Sequence, residues 1–186
     1  MDAVNRYRAV INHFLAADAQ INDGRAAWLW PKILSMCYPS FGGKSLEDMI
    51  LCLVFRGLQN QAHGCNGQLF DFVEFFSGQG WLTYEMLAGG FCGCAFDNVM
   101  SASHDALTSQ GLRLFLDAVT CIRKFGMCWL ATPCSSFTVL CRAQSRRMAS
   151  NSFLGEANCF EFVQSGNFLL EVSSLIFFCA TYCLFG

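Results

Sequence analysis

Residues Asp71 to Asn98 read DFVEFFSGQGWLTYEMLAGGFCGCAFDN, and the predicted fold is built around them. The apolar, aromatic run at residues 69–76 has the composition of a strand buried on both faces. Gly78 and Gly80 then interrupt it, and apolar residues recur at helical spacing after them. A second short apolar run occupies residues 91–96. The order predicts a strand, a glycine turn, a helix and a second strand.

The glycine turn and the acid that follows the second strand suggest a ligand. A glycine turn that opens a helix presents backbone N–H groups, and an acid about 20 residues later can accept hydrogen bonds from ribose hydroxyls. Asp97 holds that position. The third glycine of the dinucleotide fingerprint is absent, since Thr83 stands there. On this stretch alone, a nucleoside site and a tight turn needed only for packing both remain open.

Composition limits the class of protein. The 186 residues are enough for one domain with a sizeable core. The chain is 54% hydrophobic, and 14% of its residues are charged. The usual share of charged residues is roughly a quarter, so most of this chain is predicted to be ordered. The net charge of −2 provides no general attraction to nucleic acid, so any such contact must be local.

The twelve cysteines are interpreted as small buried hydrophobes in a reducing compartment, the cytoplasm or the nucleus. The chain is long for a disulfide scaffold and shows no secretory signal. The close pair Cys92 and Cys94 has no second pair to complete a zinc site, and the three histidines are scattered. We therefore expect no metal site.

The remaining segments predict an α/β fold. Residues 2–19 and 45–59 have helical apolar spacing, and we interpret residues 1–60 as an N-terminal helical extension. Residues 61–186 then follow as a Rossmann-like unit. A helix at residues 109–124 leads to a third apolar strand at residues 127–132. The predicted fold is a doubly wound, mainly parallel sheet.

The predicted third strand ends in a second motif, Thr132, Pro133 and Cys134. The glycine turn after the first strand and this Pro-Cys segment together resemble the motifs of a known family. The arrangement is similar to the class I S-adenosylmethionine-dependent methyltransferases, most closely the cytosine carbon-5 branch, over residues 69 to about 140. The resemblance implies S-adenosylmethionine as the cofactor and Cys134 as the nucleophile. It implies these cofactor-binding residues: Phe76, Ser77, Gly78, Gly80, Asp97, Asp105 and Pro133.

The chemistry of that branch explains why a cysteine is needed. Carbon 5 of cytosine is a poor nucleophile, and addition of a thiolate to carbon 6 creates an enamine that attacks the sulfonium methyl group. A nearby cation such as Arg142 lowers a thiol pKa and favours the thiolate. The alternative interpretation is that Cys134 is one more structural cysteine.

The chain also departs from the family pattern. Ser135 replaces the glutamine usual after the cysteine, and the segment from Asp97 to Thr108 is too short for a crossover helix and an outer strand. The family's Glu-Asn-Val-type motif, which protonates the ring, does not occur before Gly186. We therefore expect a truncated or degenerate methyltransferase-type domain with negligible methyl transfer. A non-catalytic α/β scaffold or binding module is the alternative.

Two further segments of the sequence suggest surface contacts. Arg142, Arg146 and Arg147 form a local basic cluster, which is either a contact to nucleic-acid phosphates or a solvated loop. The apolar segment from Glu156 to about Cys183 is predicted to be a helix that covers the sheet. Its last uncharged run, 15 residues from Val172 to Gly186, is short for a membrane span. We expect part of this helix to stay exposed and to promote self-association.

Overall fold

A computed structural model describes residues 12, 16, 25–63, 69–134, 142–148, 155 and 161–185. The predicted first helix, at residues 2–19, lies almost wholly outside these residues. The elements in chain order are α1 (Arg25–Cys37), α2 (Leu46–His63), β1 (Phe70–Phe75), α3 (Trp81–Ala88), β2 (Gly93–Phe96), α4 (Ser109–Thr120), β3 (Ile122–Leu130), α5 (Arg142–Ser145) and α6 (Glu161–Phe185).

The three strands form a parallel sheet in the order β2-β1-β3. Val73 in the central strand pairs with Cys94 on one side and with Cys128 on the other. This confirms the predicted Rossmann-like α/β fold with parallel pairing among the three strands. The chain moves from β1 to β2 and then crosses to the other side of β1, so the winding direction reverses at the central strand.

Alternating residues of β1 face opposite sides of the sheet. Val73 and Phe75 belong to the main apolar core, where the rings of Phe75 and Phe115 on α4 lie 4.7 Å apart. Glu74 points the other way and accepts hydrogen bonds from Thr83 on α3. Helices therefore pack on both faces, α4 and α6 on one and α3 on the other, as a doubly wound sheet requires.

The third strand begins earlier than predicted. We expected the preceding helix to reach Lys124, but α4 ends at Thr120 and Ile122 already pairs with Phe70. The pairing resumes only at Met127, so residues 123–126 bulge out of the ladder. Gly126 permits the bulge, because a Cβ there would lie 2.9 Å from the Asp71 carbonyl oxygen. The sequence pattern placed the helix end too late because Ile122 is apolar and buried. A buried apolar residue at this position fits a continuing helix as well as a strand.

The described part of the helical extension packs directly on α4. Asp117 on α4 accepts a hydrogen bond from the Tyr38 hydroxyl at 2.8 Å and pairs with Arg56 on α2 at 3.1 Å. The pKa of Tyr38 is raised, first by burial and then by its hydrogen bond to Asp117. Helix α2 continues to His63, past the predicted end near residue 59. These contacts join the extension to the core of the α/β unit.

Helix α6 is covered along much of its length. Val172, Leu175 and Ile176 are fully buried against the sheet and α4, whereas Leu170 and Phe177 are exposed. Residues 161–181 are long and apolar enough to cross a membrane, and half of the apolar window is buried inside the protein. Self-association through the exposed side chains stays a prediction.

Candidate functional site

The turn after β1 has the backbone that its glycines indicate. Phe76, Gly78 and Gly80 all have positive φ, at 60°, 57° and 70°. Glycine adopts this conformation without strain, whereas Phe76 adopts it at a cost. Strain of this kind is common at ligand sites.

Four backbone N–H groups of the turn are already hydrogen-bonded within the protein, contrary to the expectation that they face a ligand. The amides of Phe76 and Ser77 donate to the Phe96 carbonyl at 2.8 and 3.3 Å, and Gly80 donates to the Ser77 carbonyl at 2.9 Å. The Gly78 amide donates to the Asp97 carboxylate at 2.8 Å. At these four positions the amides are not free, because carbonyl groups of Phe96 and Ser77 and the Asp97 carboxylate accept their hydrogen bonds.

Asp97 joins the ends of β1 and β2. One carboxylate oxygen accepts the Gly78 amide and the other accepts the Val99 amide, each at 2.8 Å. A carboxylate oxygen has more than one acceptor position, so both oxygens retain capacity for a further donor such as a ribose hydroxyl. Asp97 is half-buried and lines a cavity.

The cavity lies at the carboxyl edge of the sheet, where the winding reverses. Its volume is about 70 Å³, and its lining includes four predicted site residues: Phe76, Asp97, Asp105 and Pro133. They follow β1, β2 and β3, so residues far apart in the chain meet at one point. Ser77, Gly78 and Gly80 shape the adjoining turn but do not line the cavity. The cavity is much smaller than the roughly 300 Å³ of an ordinary small-molecule site.

His104 and Asp105 form another wall of the cavity. An Asp105 carboxylate oxygen accepts the Leu107 amide at 2.9 Å. The His104 ring packs edge-on against Phe96, with centroids 5.1 Å apart, and its buried Nδ1 has no hydrogen-bond partner among the described residues. Sequence reasoning missed His104 because a single histidine among polar residues carries no pattern.

Sequence reasoning also missed Glu74, the most buried acid near the turn. The side chain is 5% exposed, and one carboxylate oxygen accepts the Thr83 amide at 3.0 Å and the Thr83 hydroxyl at 2.6 Å. Gly80 begins α3 without a side-chain cap, so Glu74 satisfies an N–H of the first helical turn from the strand. The sequence did carry a signal for this interaction: Glu74 is an acid within an apolar strand, and Thr83, a possible donor, follows nine residues later.

The third strand ends at the predicted Pro-Cys motif. The Ala131 amide still donates to the Phe75 carbonyl, which keeps the ends of β1 and β3 together. The Thr132 hydroxyl lies 2.6 Å from the Ser173 hydroxyl on α6. Pro133 lines the cavity, and Cys134 is an exposed free thiol. Cys134 is thus accessible beside the cavity.

The cysteines in the described residues differ in accessibility, and this predicts a labelling order. Burial raises the pKa of Cys94 and Cys128 to about 12, so both stay protonated near neutral pH. In native protein treated with iodoacetamide at pH 8, we expect Cys134 to react well before these two, because alkylation requires an accessible thiolate. Peptide mass spectrometry gives the order, and urea-unfolded protein is the control in which all should react. Equal native rates would contradict the burial described here.

The basic cluster is divided between surface and interior. Arg147 is 5% exposed and donates to the Asn167 side chain at 2.7 Å and to the Val163 carbonyl at 3.2 Å on α6. Arg146 is exposed, and the Arg142 side chain lies outside the described residues. The hypothesis of a fully solvated loop was therefore wrong for Arg147, whose charge holds the segment to α6.

The described residues contain no group of three or more metal-ligating side chains, and their cysteines are all free. Comparisons with protein-family models, with curated proteins and with solved structures found no match for this chain.

Proposed function

We propose that this protein binds S-adenosylmethionine at the cavity formed by Phe76, Asp97, Asp105 and Pro133. The observation that carries the proposal is the meeting of these residues, from three strand ends, at the point where the winding reverses. Open α/β sheets bind ligands at such points. A cytoplasmic or nuclear location agrees with the free cysteines of the described residues.

The side chains present are chemically suited to a nucleoside. The carboxylates of Asp97 and Asp105 can accept hydrogen bonds from hydroxyl and amino groups, and Phe76 offers an aromatic surface. The cavity is too small for a purine as it stands, so entry requires a neighbour to move. Leu107 lines the cavity and is 43% exposed, which leaves its side chain space to swing aside.

The reaction class implied by the resemblance is methyl transfer to a cytosine-type base, which we expect this chain to carry out at a negligible rate. Bound S-adenosylmethionine supplies an electrophilic methyl group. Cys134, as a thiolate, adds to carbon 6 of the ring and forms a C–S bond, while the ring π electrons move to carbon 5. S-adenosylmethionine, held by Phe76, Asp97, Asp105 and Pro133, would supply the methyl group to carbon 5, and Cys134 would leave as the thiolate when solvent water takes the carbon-5 proton. The exposure of Cys134 supports its role as the attacking group.

A second candidate function is a non-catalytic binding or scaffold module. The internal bonding of the turn amides and the small cavity favour it, since neither requires a ligand. Transfer of labelled methyl from S-adenosylmethionine to DNA or RNA distinguishes the two. Transfer that Cys134→Ser abolishes supports the enzyme, and cofactor binding without transfer supports the module.

Leu107 provides a test of cofactor binding. Titration calorimetry with S-adenosylhomocysteine is expected to show tighter binding by Leu107→Ala, which opens the cavity, and none by Leu107→Trp, which fills it. Val99→Trp is the matched control, because Val99 is also exposed but does not line the cavity. We expect the control to bind like the parent protein. Identical affinities for all four proteins, or no binding by any, would refute the proposal.

A further inference from the structure

Helix α3 is mostly apolar, yet only one of its eight residues is buried. That residue is Thr83, whose amide and hydroxyl are held against the sheet by Glu74. On a helix of about 3.6 residues per turn, Trp81, Tyr84 and Ala88 lie on the side opposite Thr83. Trp81 is 72% and Tyr84 is 63% exposed, and Ala88 is exposed as well. We call these three residues the α3 stripe.

The apolar surface continues around the α3 stripe. The other exposed large side chains near the two ends of the helix are Leu87, Phe91 and Met100. Together with the two aromatic side chains of the stripe they present roughly 500 Å² of surface. The largest apolar patch of a soluble monomer covers about 300–600 Å², and a specific dimer buries about 800 Å² on each partner. This surface is therefore large enough to form the apolar centre of a dimer interface with a polar rim.

The α3 stripe has one large end and one small end. Trp81 projects from the first turn, whereas Ala88 at the last turn is followed by Gly89 and Gly90. Apart from its chain neighbours, no described atom lies within 4 Å of the place that a Cβ of Gly90 would take, so the space beside this end is open. Two antiparallel α3 helices would place the large end of each over the small end of the other. A two-fold contact between identical surfaces requires this kind of self-complementarity.

We propose that α3 forms the centre of a two-fold interface between two copies of this chain, with Trp81 of each copy packed over Ala88 and Gly89 of the other. The two-fold axis then passes near Tyr84 and Glu85, midway between the two ends of the stripe. Glu85 is the only charged residue of α3, and the net charge of the chain is −2, so repulsion between the copies is small. The inference goes beyond the proposed function and does not depend on cofactor binding.

Sedimentation equilibrium of the full chain at micromolar concentrations tests this dimer. We expect the parent protein to dimerise, and Ala88→Arg and Trp81→Glu each to weaken the dimer about thirtyfold, the effect of losing one central contact. An equimolar mixture of the two variants should recover the dimer. In the mixed pair, one end of the contact keeps Trp81 over Ala88, and the other end pairs the introduced carboxylate with the introduced guanidinium.

Phe177→Ser is the matched control, because Phe177 is 64% exposed on α6, on the other face of the sheet. We expect this variant to dimerise like the parent protein. A monomeric parent protein, a dimer that Ala88→Arg leaves intact, or a mixture that stays monomeric would overturn the inference. So would loss of the dimer in Phe177→Ser alone, which would place self-association on α6. Thermal unfolding should show an intact fold in every variant, since all three positions are exposed.

Discussion

Replacing Gly111 by alanine is expected to destabilise the protein by about 3 kcal/mol, the upper part of the range for overpacking. Gly111 is buried in the first turn of α4, directly against the backbone of Asp105. A Cβ there would overlap the Asp105 carbonyl oxygen and lie 2.8 Å from its amide nitrogen. Backbone atoms cannot rotate away, so either α4 or the Asp105 loop must move.

The substitution should also impair the site, because Asp105 and His104 line the cavity. Urea unfolding measures the loss of stability, and calorimetry with S-adenosylhomocysteine measures the loss of affinity. Gln110→Ala is the matched control, one residue earlier in the same turn and exposed. A change in unfolding free energy of Gly111→Ala within about 0.5 kcal/mol, as at ordinary surface positions, would show that the contact is not tight.

Replacing Glu74 by alanine is expected to cost a similar amount, about 3 kcal/mol, because two buried donors lose their acceptor. The Thr83 amide and hydroxyl both donate to the same carboxylate oxygen, at 3.0 and 2.6 Å. Glu74→Gln keeps an oxygen that can accept both bonds and removes only the charge. Its cost should be smaller, about 1 kcal/mol.

A double-mutant cycle with Thr83→Val tests the pairing itself. Valine keeps the shape of Thr83 and removes the hydroxyl, so its effect should be smaller in the Glu74→Ala background than in the parent protein. Urea unfolding of the four proteins gives the coupling energy. Additive effects, or equal costs for Glu74→Ala and Glu74→Gln, would mean that Glu74 does not stabilise α3 through these bonds.

Much of the fold could be predicted because its signals are local. The apolar runs of β1 and β2 and the glycines between them are contiguous, and the parallel pairing follows from the crossover helix. The start of β3 was not predictable in this way. Ile122 fits the apolar face of a continuing helix, and only its pairing with Phe70, more than fifty positions earlier, makes it a strand residue.

The position of Asp97 and Pro133 after strands could be predicted from the sequence, whereas the hydrogen bonds around them could not. Asp97 and Pro133 were placed correctly at strand ends, and they line one cavity. The sequence does not say which acceptor each amide will find, so the bond from Gly78 to Asp97 was missed. Arg147 was misjudged for the same reason, because its partners on α6 are distant in sequence.

An amide-resolved NMR titration of the full chain with S-adenosylhomocysteine shows directly whether the ligand binds at the proposed cavity. We predict that the largest shift changes occur at residues 76–78, 97–98 and 104–107, around the cavity at the carboxyl edge of the sheet. Amides of the groove between α1 and α4, near Cys37 and Arg113, should stay unchanged. Absence of shift changes at millimolar ligand, or changes confined to that groove, would contradict cofactor binding at this cavity.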